Sequence, residues 1–230
     1  MHVVITGASR GIGLEFVRRY LSRGDHVVAA CRDPDRATEL AALAAAAGPR
    51  ARLLACDVAS DASVAAFAAA LGDAPVDLLV NNAGVAGGWE SLDGVATDVA
   101  LDTYNVNALG PVRVTRALLP HLARASAPRV AHISSGMGSI ADNGSGGAYA
   151  YRMSKAALNM AARNLAVDLR PRGVVSVVIN PGWVATDMGG ANAPTAVGDS
   201  VAAMVARFDA LTHADSGKFL DWTRAEGFPW

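Results

Sequence analysis

HVVITGASRGIG, residues 2–13, runs a short β-branched segment into three closely spaced glycines, and an amphipathic stretch, EFVRRYLSRG, follows at once. A strand before and a helix after define the job each glycine can do. Gly7 can take a tight turn, Gly11 lets the backbone approach a pyrophosphate, and Gly13 permits close helix–strand packing. The N-terminus of the helix then offers unpaired N–H groups and positive dipole character to phosphate oxygens. Alone, the glycine trio would fit an ordinary tight turn equally well. Its spacing, GxxxGxG rather than GxGxxG, marks a narrower group of dinucleotide binders.

Outward from this loop, short β-branched runs alternate with Ala-rich amphipathic segments. Strands are expected at 2–6, 26–31, 52–56, 76–80, 129–134, 174–179 and 218–222, and helices near 12–23, 35–47, 61–71, 98–124, 151–169 and 195–211. Most strand candidates are continuously apolar, as required when helices cover both faces. Repeated strand–helix–strand spacing implies right-handed crossovers. The expected fold is therefore one α/β domain over 1–230, a Rossmann-type doubly wound parallel sheet of about seven strands in the order 3-2-1-4-5-6-7.

The bulk properties exclude several classes. With 52% apolar and 18% charged residues, the 230-residue chain can build one sizeable core and is not disordered. The net charge is −1 and the basic residues are scattered, so no nucleic-acid face is expected. The most apolar stretch, ELAALAAAAG, is too short to span a bilayer. Cys31 and Cys56 form no CxxC pair, and the N-terminus enters a strand without room for a signal peptide; a reducing, cytoplasmic setting is expected. The five histidines are dispersed, so no metal site is expected, and no GxSxG elbow supports a serine hydrolase.

YAYRMSK, residues 149–155, carries the chemistry. Residues four apart on a helix share a face, so Tyr151 pairs with Lys155 while Tyr149 points elsewhere. A phenol has an ordinary pKa of about 10, and a nearby cation stabilises its anion. Lowering it by ~2–3 pH units needs roughly 3–4 kcal/mol, much of which one ammonium in a partly desolvated cleft can supply. Tyr151 is then expected to give a proton in carbonyl reduction and take one in alcohol oxidation. In isolation, YxxxK is far more often a surface helix pair than a reactive one.

TGASRGIG at 6–13, NNAG at 81–84, Tyr151-x-x-x-Lys155 and NPGWVATDM at 180–188 together resemble the short-chain dehydrogenase/reductase family. PGWVATDMGG and the closing GKFLDW…FPW are similar to its sniffer-type carbonyl reductases and C-factor proteins. This resemblance implies that Lys155 also bonds the nicotinamide ribose, that the positive charge of the oxidised nicotinamide helps to acidify Tyr151, and that Ser135 orients the substrate oxygen. Ser135 precedes Tyr151 by 16 positions, longer than the family's usual spacing, and Ser139 competes for the role. Asn107, in YNVNALGP, matches the asparagine at a bent helix whose backbone holds a proton-relay water. Cofactor contacts are implied at Gly7, Ser9, Arg10, Gly11, Ile12 and Gly13, at Asp57 and Val58 (adenine), and at Asn81, Ala83 and Gly84 (adenosine side). Pro181, Gly182, Val184 and Thr186 would meet the nicotinamide carboxamide.

An acid at the end of the second strand favours a ribose 2′-hydroxyl and arginine favours a 2′-phosphate. Here Cys31 and Arg32 stand at that place, and Arg10 lies in the glycine loop, so NADP(H) is preferred over NAD(H). Asp33 is read as part of the turn DPD. Met137, Trp183 and Met188, with Tyr149 as a further candidate, would line an apolar site for an uncharged aldehyde or ketone. A substrate lid is expected over about 185–212. The resemblance implies a homodimer or homotetramer through the helices near 98–124 and 151–169. The competing reading is a nucleotide-binding signalling protein on the same scaffold.

Overall fold

The computed structural model describes all 230 residues. Seven parallel strands pair in the order β3-β2-β1-β4-β5-β6-β7, as expected: β1 His2–Thr6, β2 His26–Cys31, β3 Ala51–Ala55, β4 Leu78–Asn81, β5 Arg129–Ile133, β6 Val175–Asn180 and β7 Phe219–Asp221. The helices are α1 Gly11–Ser22, α2 Thr38–Ala47, α3 Asp61–Ala70, α4 Thr97–Tyr104, α5 Gly110–Ala117, α6 Leu119–Leu122, α7 Tyr149–Leu169 and α8 Val197–Asp209.

The alternation of strand side chains divides the core into two. Val3, Ile5, Leu78 and Val80 face α1, α2 and α8, where Phe16 stacks between Tyr20 and Phe208 at 6.3 and 5.8 Å. Val4, Leu79 and Val130 face the other way, against Phe67 of α3, Val114 of α5 and Leu169 of α7. Both faces being buried explains why the strands read as unbroken apolar runs.

The single helix expected over 98–124 is instead three helices. A π-helical turn, Asn105–Leu109, separates α4 from α5, and Pro111 and Pro120 sit in the first turns of α5 and α6. Pro111 has no N–H, so the Asn107 carbonyl four residues earlier loses its usual helical donor. The stretch 185–212 also divides. Val184 and Thr195 form a parallel bridge that closes a loop between them. Beyond it α8 buries Val201, Met204 and Phe208 in the core, so that part is framework rather than lid.

Because all strands run the same way, their carboxyl ends meet at one edge, and the crevice opens between β1 and β4 where the strand order reverses. The glycine loop is held there by β4. Thr6 Oγ1 accepts from the N–H groups of Asn82 and Ala83 (3.1 and 3.2 Å), and the Asn82 amide donates to the carbonyls of Thr6 and Gly7 (3.0 and 3.1 Å). A Cβ at Gly13 would collide with the Gly7 carbonyl and with that Asn82 amide. Gly13→Ala should therefore destabilise the fold by about 1–3 kcal/mol through overpacking. Urea unfolding that leaves the midpoint unchanged would show that the loop tolerates the methyl.

Candidate active site

The groove at this edge gathers most of the residues the sequence singled out. Gly7, Ser9, Arg10, Gly11 and Ile12 form one wall, and Arg32, Asp57 and Val58 lie at the end near β2 and β3. Ala83, Gly84, Tyr151, Lys155, Pro181, Thr186 and Met188 continue it towards α7. Four expected contacts lie off it. Gly13 packs beneath the loop, and Gly182 packs against the Trp222 indole. Val184 is buried at the bridge to Thr195. Asn81 turns its side chain into the core, donating to Thr115 (3.1 Å) and facing His132 Nδ1 of β5 (3.3 Å), where it helps to fix the central strand. Neighbours on a strand face opposite sides, so it is Asn82 that borders the groove.

The tyrosine helix is positioned from several directions. Ala148, just before α7, is left-handed (φ 49°) and supplies no side-chain cap. Glu90 does so from the loop after β4, accepting from the Ala150 N–H at 2.8 Å. That bond holds its carboxyl below the ordinary range. Asn107 locks the π turn to the same loop and to α7. Its Oδ1 accepts from Val85 N–H (2.8 Å), and its Nδ2 donates to the Val85 carbonyl (2.8 Å) and to Ser154 Oγ (2.9 Å). Both side-chain N–H groups are thus committed, while the backbone carbonyl remains for other partners.

Tyr151 and Lys155 share a face as predicted, with Nζ 5.7 Å from the phenol ring centroid. In the chain alone, burial dominates the electrostatics of both groups. Burial raises the Tyr151 phenol above its ordinary value, and interaction with the Ser135 hydroxyl works against this. Lys155 is only 5% exposed, and its Nζ donates to the Ile133 carbonyl at 2.9 Å. Burial takes its pKa from 10.5 down to about 8. In the protein alone, loss of water outweighs the attraction between the two groups.

Ser135 stands at the first turn after β5, where its Oγ accepts from Met137 N–H (3.1 Å). Ser139 is buried and spent structurally: its hydroxyl donates to the Trp230 carbonyl (3.2 Å) and accepts from Asp142 N–H (3.0 Å). Ser134 donates to Asn159 Oδ1 at 2.6 Å. Of the three hydroxyls, only Ser135 acts on Tyr151. Asn180, which the sequence reading passed over, ties the loops together. Its Oδ1 accepts from Gly136 N–H (2.9 Å) and Gly182 N–H (3.2 Å), and its Nδ2 donates to Asp221 (2.8 Å).

At the β2 end Arg32 is exposed and has no ion-pair partner, while Asp33 turns back to Arg36 as the turn reading required. Arg10 reaches across the groove mouth to Asp187 (2.7 Å). Met188 borders the groove, whereas Trp183 is exposed with its indole donating to the Gly189 carbonyl (2.8 Å). Met137 and Tyr149 are half-buried and off the groove. A larger cavity, about 890 Å³, lies between α7, β7 and Phe228–Trp230, without the glycine loop or the Tyr–Lys pair. Size therefore does not mark the site. No cluster of three metal-ligating side chains occurs.

A Rossmann-type sheet with a glycine loop at its switch point and a buried Tyr–Lys pair beside it defines a dinucleotide-binding oxidoreductase scaffold. The family model for "short chain dehydrogenase" matches residues 1–196. The chain belongs to the short-chain dehydrogenase family. A curated relative, "C-signal" of Myxococcus xanthus, is 52% identical over 165 residues, covering 72% of this chain and 99% of that one. An NADPH-bound carbonyl reductase from chicken fatty liver superposes with a TM-score of 0.92 at 37% identity, covering 100% of this chain and 98% of that one. The carbonyl reductase Sniffer of D. melanogaster gives 0.94 at 33% identity, covering 100% and 99%.

The buried ammonium has a measurable signature. Its charged form is penalised in the folded state by roughly 3 kcal/mol, the worth of lowering a pKa from 10.5 to about 8. The penalty is full below pH 8 and disappears as pH rises towards the unfolded value. Lys155→Met should therefore be more stable than the parent at pH 7 in the absence of cofactor, and the gap should close between about pH 8 and 10. A stability difference that does not change with pH would show that the ammonium is not penalised by burial.

Proposed function

We propose that this protein is an NADP(H)-dependent carbonyl reductase, reversible as an alcohol dehydrogenase, with an uncharged and largely apolar aldehyde or ketone as substrate. The observation that carries the reading is the Tyr151–Lys155 pair, buried at the carboxyl edge of the sheet beside the glycine loop. The residues present fit the cofactor: an ammonium whose one protein acceptor is a carbonyl, a glycine loop opening α1, and an unpaired guanidinium at Arg32. Gly11 and Ile12 amides would receive the pyrophosphate, Arg32 and Arg10 the 2′-phosphate, Asp57 and Val58 the adenine, Lys155 the nicotinamide ribose, and Thr186 the carboxamide. When bound, the nicotinamide supplies or accepts the hydride.

Ser135 then holds the substrate oxygen, and Tyr151 gives its proton to that oxygen as negative charge develops on it. Burial that keeps the phenol neutral suits this direction, because the donor must retain its proton until the alkoxide forms. Positive charge from Lys155 stabilises the resulting phenolate. The Asn107 carbonyl, deprived of a helical donor by Pro111, is placed to hold a water that returns protons towards Lys155. Arg152 is turned away to Ser145 and the Gly146 carbonyl (2.8 and 3.2 Å), so beside Lys155, which is assigned to the ribose, no second cation near Tyr151 invites a carboxylate substrate.

The loop between Val184 and Thr195 serves as lid. The exposed apolar residues Leu101 and Tyr104 of α4 and Met153, Met160 and Val167 of α7 support a homodimer, or a homotetramer built on it. No helix is long and apolar enough to cross a membrane, and a cytoplasmic location is our proposal. A second reading, a nucleotide-binding signalling protein, is favoured by the likeness to "C-signal". It predicts cofactor binding without turnover.

NADPH oxidation against a panel of aldehydes, ketones and diketones decides between them. Tyr151→Phe should lower kcat by about 10²–10⁴-fold, the usual worth of a general acid. Equal turnover in both proteins would remove Tyr151 from the mechanism. Arg32→Asp should shift the NADPH/NADH ratio of kcat/KM towards NADH by about tenfold or more, the size of one lost charge-assisted bond. An unchanged ratio would place the 2′-phosphate elsewhere.

A further inference from the structure

The Tyr151 phenol has a neighbour that the reading so far leaves idle. The indole of Trp89 lies against it, with ring centroids 5.6 Å apart and planes inclined at 56°. Such tilted contacts are favourable between aromatic rings. Yet Trp89 is 60% exposed, so the indole covers the phenol on one side and remains open on another.

Its position is built rather than loose. Gly88 before it has φ +116°, a conformation other residues rarely adopt. A Cβ at Gly87 would collide with the Thr103 hydroxyl of α4, so that backbone is pressed against the helix. After it, Glu90 is fastened twice to the start of α7: its side chain accepts from Ala150 N–H and its carbonyl from Ala148 N–H, both at 2.8 Å. Trp89 thus sits on a short bridge between α4 and the helix that carries Tyr151. Glu90 also leaves an anchored carboxylate beside this spot, unfavourable to an anionic ligand.

We propose that Trp89 is a specificity-determining residue whose open indole surface stacks flat aromatic carbonyl compounds beside Tyr151, selecting aryl aldehydes and aryl ketones over aliphatic ones. This rests on the carbonyl-reductase reading above. A flat ring gains edge or offset contact with the indole that an alkyl chain of equal polarity does not. Such contacts amount to roughly 2- to 10-fold in binding beyond the area buried.

The test compares wild type, Trp89→Ala and Trp89→Phe, taking the ratio of kcat/KM for benzaldehyde to that for hexanal with NADPH. The ratio should fall about fivefold or more in Trp89→Ala, chiefly through the KM for benzaldehyde, and recover largely in Trp89→Phe. An unchanged ratio overturns the proposal, as does a common fall in kcat for both substrates with KM intact, which would make Trp89 a support for Tyr151 only. Sedimentation at assay concentrations adds a third arm: wild type associating through Trp89, with Trp89→Ala monomeric and the substrate ratio retained, also overturns it. Should wild type reduce neither carbonyl, the reductase reading fails by itself. Saturation-transfer NMR of acetophenone with NADP⁺ present then still judges Trp89: loss of the signal in Trp89→Ala upholds the stacking surface, and equal signals overturn it.

Discussion

A lysine ammonium without a carboxylate partner sits almost wholly out of water under the carboxyl edge of the sheet. A buried charge normally finds a counter-ion or loses its proton, and Lys155 has moved part of the way to the second outcome. The single acceptor it has, the Ile133 carbonyl, belongs to β5, so the charge is tied to the sheet rather than to its own helix. Such an arrangement is poor for stability and good for a site that is completed by something else. A ribose with two hydroxyls and a relay water would provide the acceptors the protein withholds.

Keeping that charge in place demands unusual local structure around α7. The helix begins behind a left-handed alanine and borrows its cap from Glu90, sixty residues earlier in the chain. On its flank, the π turn at Asn105–Leu109 lets the Asn107 amide reach both Val85 and Ser154. π turns are rare and cluster at functional sites, and here the extra residue converts a helix side chain into a three-way clamp. Asn180 performs the matching service for the loops after β5 and β6. Tyr151 and Lys155 thus stand on one regular helix, and short-range irregularities around it adjust their position.

What the sequence made plain follows from periodicity and spacing. Continuous apolar strands named the doubly covered parallel sheet, and i,i+4 geometry chose Tyr151 over Tyr149. What it hid was long-range or directional. NNAG could not say which asparagine faced the groove, because strand alternation fixes only that Asn81 and Asn82 face opposite ways. The segment 98–124 looked like one helix because its amphipathic pattern runs throughout, although Pro111 and Pro120 were available as signals of breaks. Glu90 and Trp89 gave no local sign, as their partners lie on α7. The burial that opposes the Tyr151–Lys155 attraction gave no local sign either, because it comes from the whole fold.

The same balance of local attraction against surroundings governs Arg10. Its guanidinium is already engaged by Asp187. Both partners are more than 70% exposed, and exposed pairs contribute about 0–1 kcal/mol. A phosphate dianion offers shorter, charge-assisted and bidentate bonds, so exchanging the carboxylate for it costs little. The Thr186 methyl already lies within contact distance of where a Cβ on Gly11 would be, so the strap reaches the glycine loop without Arg10. Arg10 thus spans the groove mouth to Asp187, whereas Arg32, at the end near β2, meets no acid.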